Sequence, residues 1–169
     1  MWNDTDFPLA VFFTFRCHGT WLHGDRRGSM DRHQNIYGTP RLPDNPNWKQ
    51  FSQKKLEHPP VILNASQRRS VEKAVRDTCE KRCWDLHALN VRTNHIHAVI
   101  DIGTKKADIA LNALKANATR QLRDDGLWNL EHSPWVKRGS KRKLWSERSV
   151  AEASDYVINR QGDEPPDFD

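Results

Sequence analysis

His95-Ile96-His97 lies inside the apolar run Asn94-His-Ile-His-Ala-Val-Ile100. Side chains two apart on a strand point to the same face, so the two imidazoles stand side by side as half of a metal site. The other reading of such a pair is a polar row on a half-solvated sheet. A second group with chemical potential is Lys137, Arg138, Lys141, Arg142 and Lys143, bracketed by Trp135 and Trp145. Cations interleaved with flat rings suit single-stranded nucleic acid, whose unstacked bases need aromatic partners, while tryptophans anchoring a hairpin in the core remain the alternative. Lys115, Thr119 and Arg120 line a helix side that could face a phosphate chain or simply be solvated. Cys79 and Cys83, four apart, lack the tight Cys-x-x-Cys knuckles of structural zinc, and Cys17 stands alone.

These groups need elements to hold them. The apolar, aromatic run Leu9–Arg16 predicts a strand that breaks at His18-Gly19-Thr20. Residues 24–60 lose all periodicity and read as one long irregular loop, of the kind that is either functional or disordered. From the capping sequence Asn64-Ala-Ser66 a helix is predicted to about Trp84, with Val71, Ala74, Val75, Thr78 and Cys79 on one stripe. Leu86–Val91 and His95–Ile100 form two strands joined by the short polar loop Arg92-Thr93-Asn94, which sets the histidines at the start of the second strand. A further helix runs from near Lys105 to about Arg123, with Ile109, Leu111, Ala113, Leu114, Ala118 and Leu122 inward, and Asp124-Asp125-Gly126 closes it. Residues 128–146 read as short and irregular, a strand or hairpin. A last helix starts at Ser149 and carries Val150, Ala153, Tyr156, Val157 and Ile158. This order predicts an α+β domain: an antiparallel sheet with helices packed on one face, over residues 1–162, followed by an acidic tail at 163–169.

At 169 residues the chain is long enough to bury a core without disulfide or metal staples. Its net charge of +5 and pI near 9.3 include the tail acids Asp163, Glu164, Asp167 and Asp169, so the body is more basic still, and a polyanionic partner is the economical reading. Three cysteines, an odd number, do not suit a secreted disulfide framework. The apolar run Leu9–Phe13 is too short to span a bilayer or serve as a signal sequence, so the expectation is a cytoplasmic protein with no membrane partner.

Four stretches in order carry a family resemblance: Gly19-Thr-Trp-Leu-His-Gly-Asp-Arg-Arg-Gly28, Asn94-His-Ile-His97, Leu114-Lys-Ala-Asn-Ala-Thr-Arg-Gln-Leu122 and Tyr156-Val-Ile-Asn-Arg-Gln-Gly162. Together they resemble the HUH single-strand endonucleases, specifically the single-tyrosine transposases of bacterial insertion sequences in their REP-associated branch. The resemblance implies a ferredoxin-like sheet with a metal site on its exposed face and a nucleophilic tyrosine, Tyr156, on a C-terminal helix. It also implies cleavage and rejoining of single-stranded or hairpin DNA through a 5′-phosphotyrosine link. A phenol with a reference pKa of about 10 needs a nearby cation or base to attack at neutral pH. His95 and His97 would supply two ligands to Mg2+ or Mn2+. The family's third ligand is a glutamine four positions after the tyrosine, where this chain has Arg160; Gln161 is the expected substitute, with Asn159 or water as alternatives.

The same resemblance makes Lys115 and Arg120 backbone contacts and the Gly24–Gly28 segment, with Arg26 and Arg27, a grip on a DNA hairpin. It fits a monomer or a helix-swapped homodimer acting at the bacterial nucleoid. No nucleotide cofactor is implied, since ester exchange conserves bond energy and no Walker-type glycine loop is present. Two other functions compete. One is an inactive or domesticated DNA-hairpin-binding protein of the same fold. The other is a small metallohydrolase built on His18, His23, His95 and His97.

Overall fold

Alternation along Ala10–Cys17 sends Val11, Phe13, Phe15 and Cys17 to one side and Phe12, Thr14 and Arg16 to the other. In the computed structural model, which describes residues 6–20 and 43–160, this segment is strand β1. The strands Asp85–Val91 (β2), His95–Asp101 (β3) and Trp135–Leu144 (β4) complete one sheet in the order β2-β3-β1-β4, with every described neighbour pair antiparallel. The helices are Pro46–Lys54 (α1), Ala65–Arg82 (α2), Ala107–Asp124 (α3) and Glu147–Asn159 (α4). Leaving α1 aside, the order β-α-β-β-α-β with split β-α-β connections gives the ferredoxin-like α+β fold read from the sequence.

The local reasons for the helices are plain. Asn64 caps α2 in a reciprocal capping box with Gln67, and Cys83 ends it in the left-handed conformation at φ 56°. Its buried face, Val71, Ala74, Val75, Thr78 and Cys79, is the predicted stripe with Ser70 added. Ser146 and Ser149 cap α4 reciprocally, so this helix begins at Glu147, slightly before the predicted Ser149.

Helices α2 and α3 cover one face of the sheet, where Val11, Phe13, Phe15, Ile96, Ala98 and Ile100 meet Val75, Leu111, Leu114 and Leu122 in the main core. Burying each of these side chains except that of Ala98 stabilises the fold by about 1.5–3 kcal/mol. On the opposite face α4 lays Ala153 and Val157 on a smaller cluster of Ala10, Ala88, Val99 and Leu144.

Three expectations are corrected. The supposed irregular segment 24–60 contains α1, started by the Asn45 side chain accepting from the Trp48 amide and by Pro46 in the first turn. The strand or hairpin expected in 128–146 is one strand, β4, but it is ten residues long rather than short and irregular. Ile109, placed on the apolar stripe of α3, is exposed, as is Ile158 on the last helix. Cys17, Cys79 and Cys83 are free thiols, the first two buried and the third exposed.

The pairing of β4 with β1 is irregular: Phe15 faces Gly139 and Cys17 faces Trp135, so two steps of β1 span four of β4. The looped-out backbone is tied to α3, because Lys115 Nζ donates to the carbonyls of Val136 at 2.8 Å and Arg138 at 3.0 Å. Gly139 lies tight against β1; a Cβ there would meet the Thr14 carbonyl oxygen at 2.7 Å.

Candidate nucleic-acid cleavage site

Strand register assembles the site. On the α4 face, three rows run across β1, β3 and β2. The first is apolar, Phe12 opposite Val99 and Val99 opposite Ala88. The second is Thr14 opposite His97 and His97 opposite Asn90. The third is Arg16 opposite His95, whose carbonyl accepts from the Arg92 amide on the other side. Helix α4 sits on the apolar row, and the Asn90 amide donates to the carbonyl of Val157 near its C-terminal end. That bond satisfies one of the carbonyls a helix end leaves without an intrahelical partner.

Tyr156 is thereby brought to the histidines. Its ring centroid is 5.9 Å from that of His97 and 6.1 Å from that of Phe12, and the His95 and His97 rings are 4.4 Å apart. Both imidazoles are buried, at 3% and 8% exposure, so they are not a solvated polar row. His95 Nδ1 lies 3.1 Å from Asn94 Oδ1, and because an amide oxygen only accepts, Nδ1 is the donor of this pair. His97 Nδ1 lies 2.8 Å from the Thr14 hydroxyl, which can accept in the same way. Burial, then the neighbouring His95, Arg16 and Arg92, hold His97 neutral by pushing its pKa down to about 2. Imidazoles oriented through Nδ1, one of them held neutral, suit what a divalent cation requires of histidine, so the pair fits a metal half-site. Among the described residues no cluster of three or more His, Cys, Asp and Glu is arranged to hold a metal.

Other predicted site residues are distributed differently. Gln161, Arg26, Arg27 and His23 lie outside the described residues, as do Tyr37 and the acidic tail. Asn159 is exposed and donates to Asp155 Oδ1 at 2.8 Å, and Arg160 pairs with Asp155 as well, so neither is turned to the imidazoles. Lys115 and Thr119 face inward: the lysine holds β4, and the threonine hydroxyl donates to the Lys115 carbonyl and accepts from Trp135 Nε1. Their donors are committed to the protein rather than to a phosphate chain. Arg120 is exposed, but α3 covers the face of the sheet away from the histidines.

Strand alternation also divides the basic run. Lys141 and Lys143 are opposite Phe13 and Val11 on the α3 side, and Lys141 pairs with Asp108; Arg142, opposite Phe12, shares the histidine face. Arg138 belongs to the irregular backbone held by Lys115. Trp135 is buried against Phe15, which is the core-anchor reading. His18, assigned to a hydrolase centre, bonds the His58 carbonyl instead.

Sequence reading missed Thr14, Arg16, Asn90, Arg92 and Asn94 as neighbours of the histidines. The parity of β1 was a usable signal, since Thr14 and Arg16 are polar residues at every second position of an otherwise apolar strand.

The sequence profile of the family described as Transposase IS200 like matches residues 59–158, a span that includes both histidines and Tyr156. No curated protein is detectably similar in sequence. Among solved structures, a REP-associated tyrosine transposase bound to a REP hairpin is similar at 14% identity and a TM-score of 0.51, over 93% of this chain and 70% of that one. A crystal structure from Deinococcus radiodurans R1, assigned as a transposase, is similar at 12% identity and a TM-score of 0.51, over 94% of this chain and 95% of that one. At these identities the likeness is one of fold.

Proposed function

The chain belongs to the IS200-like transposase family, and from that premise we propose that it cleaves and rejoins single-stranded DNA through a 5′-phosphotyrosine link on Tyr156, at sequences that carry a hairpin. The observation that carries this reading is the meeting of Tyr156 with His97 beside His95, made by two elements distant in sequence. The basic body of the chain supports a DNA partner, and the hairpin follows the REP-hairpin-bound structure that shares the fold. Among the described residues no helix is long and apolar enough to cross a membrane.

In the forward step Tyr156 Oη bonds to a backbone phosphorus and gives its proton to solvent. The bond from phosphorus to the 3′-oxygen breaks, and that oxygen takes a proton and leaves as a free 3′-hydroxyl. Attack by a 3′-hydroxyl on the phosphotyrosine reverses the exchange and rejoins the strand. His95 and His97 would hold Mg2+ or Mn2+ through Nε2, and Gln161 would complete the set. A divalent ion there supplies Lewis-acid neutralisation of the phosphate oxygens. Asn94 and Thr14 orient the imidazoles, while Phe12 and Asn90 fix the tyrosine helix over them.

A DNA-binding protein of the same fold without chemistry is the second reading, favoured by Arg160 standing one turn after Tyr156 and paired with Asp155. The test is a covalent protein–DNA complex on a denaturing gel, formed with hairpin-bearing single strands and manganese, suppressed by chelator and absent from Tyr156→Phe. Intact binding without any complex supports the second reading.

A further inference from the structure

We propose that the stacked rings of His58 and His132 are a pH-sensitive latch, closed at neutral pH, that pins the segment between α1 and α2 to the end of β1. The latch is separate from the cleavage chemistry, and its test does not depend on the transesterase reading.

Three imidazoles from distant parts of the chain meet at this end of the sheet. His58 and His132 lie face to face, ring centroids 3.8 Å apart and planes at 6°, and the His18 ring stands 5.9 Å from the first and 6.0 Å from the second. His18 Nε2 donates to the His58 carbonyl at 3.2 Å. Trp128 packs edge-on against His132 at 5.3 Å, and its Nε1 donates to the His132 carbonyl. Imidazole lone pairs lie in the ring planes, and parallel planes do not meet at one ion, so the stacked pair does not share a metal.

What the latch holds is a run of backbone contacts. The His18 amide donates to the Pro134 carbonyl at 2.7 Å and the Val61 amide to the His18 carbonyl at 2.8 Å. Gly19, at φ 77°, approaches so closely that a Cβ there would meet Pro60 Cα at 2.8 Å. Pro59 and Pro60 have φ fixed by their rings, so a shift at His58 passes stiffly to Val61. Two residues on, the Leu63 amide donates to the carbonyl of Thr93, the neighbour of the Asn94 that orients His95.

Protonation acts on the stack and spares these bonds. A carbonyl only accepts, so His18 Nε2 and His132 Nδ1, which is 3.1 Å from the Ser133 carbonyl, are donors in either charge state. Among the described residues the His58 ring makes ring contacts only. One imidazolium over a neutral ring is tolerated, whereas two held 3.8 Å apart in a half-buried place repel. The charged groups nearby are Glu57 and Glu131, exposed chain neighbours of the two rings, and Arg123, which donates to the carbonyls of Leu130 and Glu131. Among the described residues neither carboxylate is paired with a ring, so the second charge on the stack is uncompensated. The open segment therefore takes up one proton more than the closed one. The closed population falls as pH falls, by about tenfold for each pH unit below the range in which histidine ordinarily titrates.

The experiment has two arms, both on the full chain without metal. In the first, hydrogen exchange of the Val61 and Leu63 amides is compared at about pH 7.5 and about pH 5.5. Protection is expected to fall about tenfold in wild type and in His87→Gln, a control on the exposed edge of β2, and to stay constant in His58→Phe/His132→Phe, which keeps stacked rings without their charge. In the second, ring 15N signals of wild type are followed through the same range, and the stacked pair is expected to titrate in two steps at least about one pH unit apart.

Unchanged protection in wild type overturns the latch, and so does an equal fall in the Phe variant. Should that variant fail to fold, the wild-type titration still decides: single, independent steps for the two rings overturn the proposal.

Discussion

Tyr156 and His97 meet edge to face, ring centroids 5.9 Å apart at an interplanar angle of 72°, although they belong to a helix and a strand separated in sequence by all of α3 and β4. Phe12 closes the triangle, 5.3 Å from His97 and 6.1 Å from Tyr156. The candidate nucleophile is thus held to the histidines through an apolar contact on β1 and a hydrogen bond from β2.

That hydrogen bond gives the first prediction. Asn90→Ala removes the donor to the Val157 carbonyl and should destabilise the docked helix by about 1 kcal/mol. Hydrogen exchange should speed up for the α4 amides while those of β1 and β3 stay protected. Uniform acceleration across the sheet would mean that Asn90 supports the whole fold and not the helix alone.

Thr14→Val takes away the hydroxyl 2.8 Å from His97 Nδ1 and leaves the ring without its orienting partner. Manganese affinity, measured by titration, should fall about 10- to 100-fold, as is usual when an outer partner of a metal-binding histidine is lost. Unchanged affinity would show that His97 is oriented by other contacts.

Lys115 bears on pH. Burial, with Lys141 adding repulsion, pushes its pKa down from 10.5 to about 8. Between about pH 8 and 10.5 the unfolded chain therefore holds more protons at this site than the folded one. Stability should rise with pH through that window, by at most about 1.4 kcal/mol per unit. In Lys115→Met this part of the rise should vanish, and at pH 7 the carbonyls of Val136 and Arg138 lose their donor at a cost of about 1–3 kcal/mol. Denaturant melts at several pH values, compared between the two proteins, measure both effects.

Gly139→Ala tests the closeness of β4 to β1. Its Cβ would sit 2.7 Å from the Thr14 carbonyl oxygen, too near for backbone, and 3.0 Å from Leu111 Cδ2, which would have to give way. A loss of about 1–3 kcal/mol in a denaturant melt is expected, and a neutral result would show that the strand pair can separate freely.

Much of this molecule is legible in its sequence because local rules and global packing agree there. Asn64 with Gln67 marks the start of α2, and the stripe from Val71 to Cys79 is its buried face. The His95–His97 strand and its short loop to β2 are equally direct. Helix α1 escapes because it buries none of its residues, so no apolar stripe announces it, although Asn45-Pro46 carries the capping chemistry.

Strand β4 is legible only as a short strand or hairpin, and its full length is hidden for a different reason. Its irregular pairing shifts the alternation near Gly139, and a run of cations hides what remains. Lys115 misleads because its polarity suggests solvent or phosphate, whereas its partners are carbonyls contributed by the irregular part of that strand. Arg16 and Arg92 become neighbours of His95 only through register across three strands, which spacing along the chain does not encode.

The most direct test of the central claim is to find the atom that DNA is joined to. Trypsin should release Tyr156 in the peptide spanning residues 149–160, in which it is the sole tyrosine. After reaction with hairpin-bearing single-stranded DNA and manganese, followed by nuclease trimming, mass spectrometry should find this peptide heavier by a short 5′-linked nucleotide, with the modification on Tyr156. Cleaved DNA with no modified peptide, or an adduct that persists in Tyr156→Phe, would contradict the account.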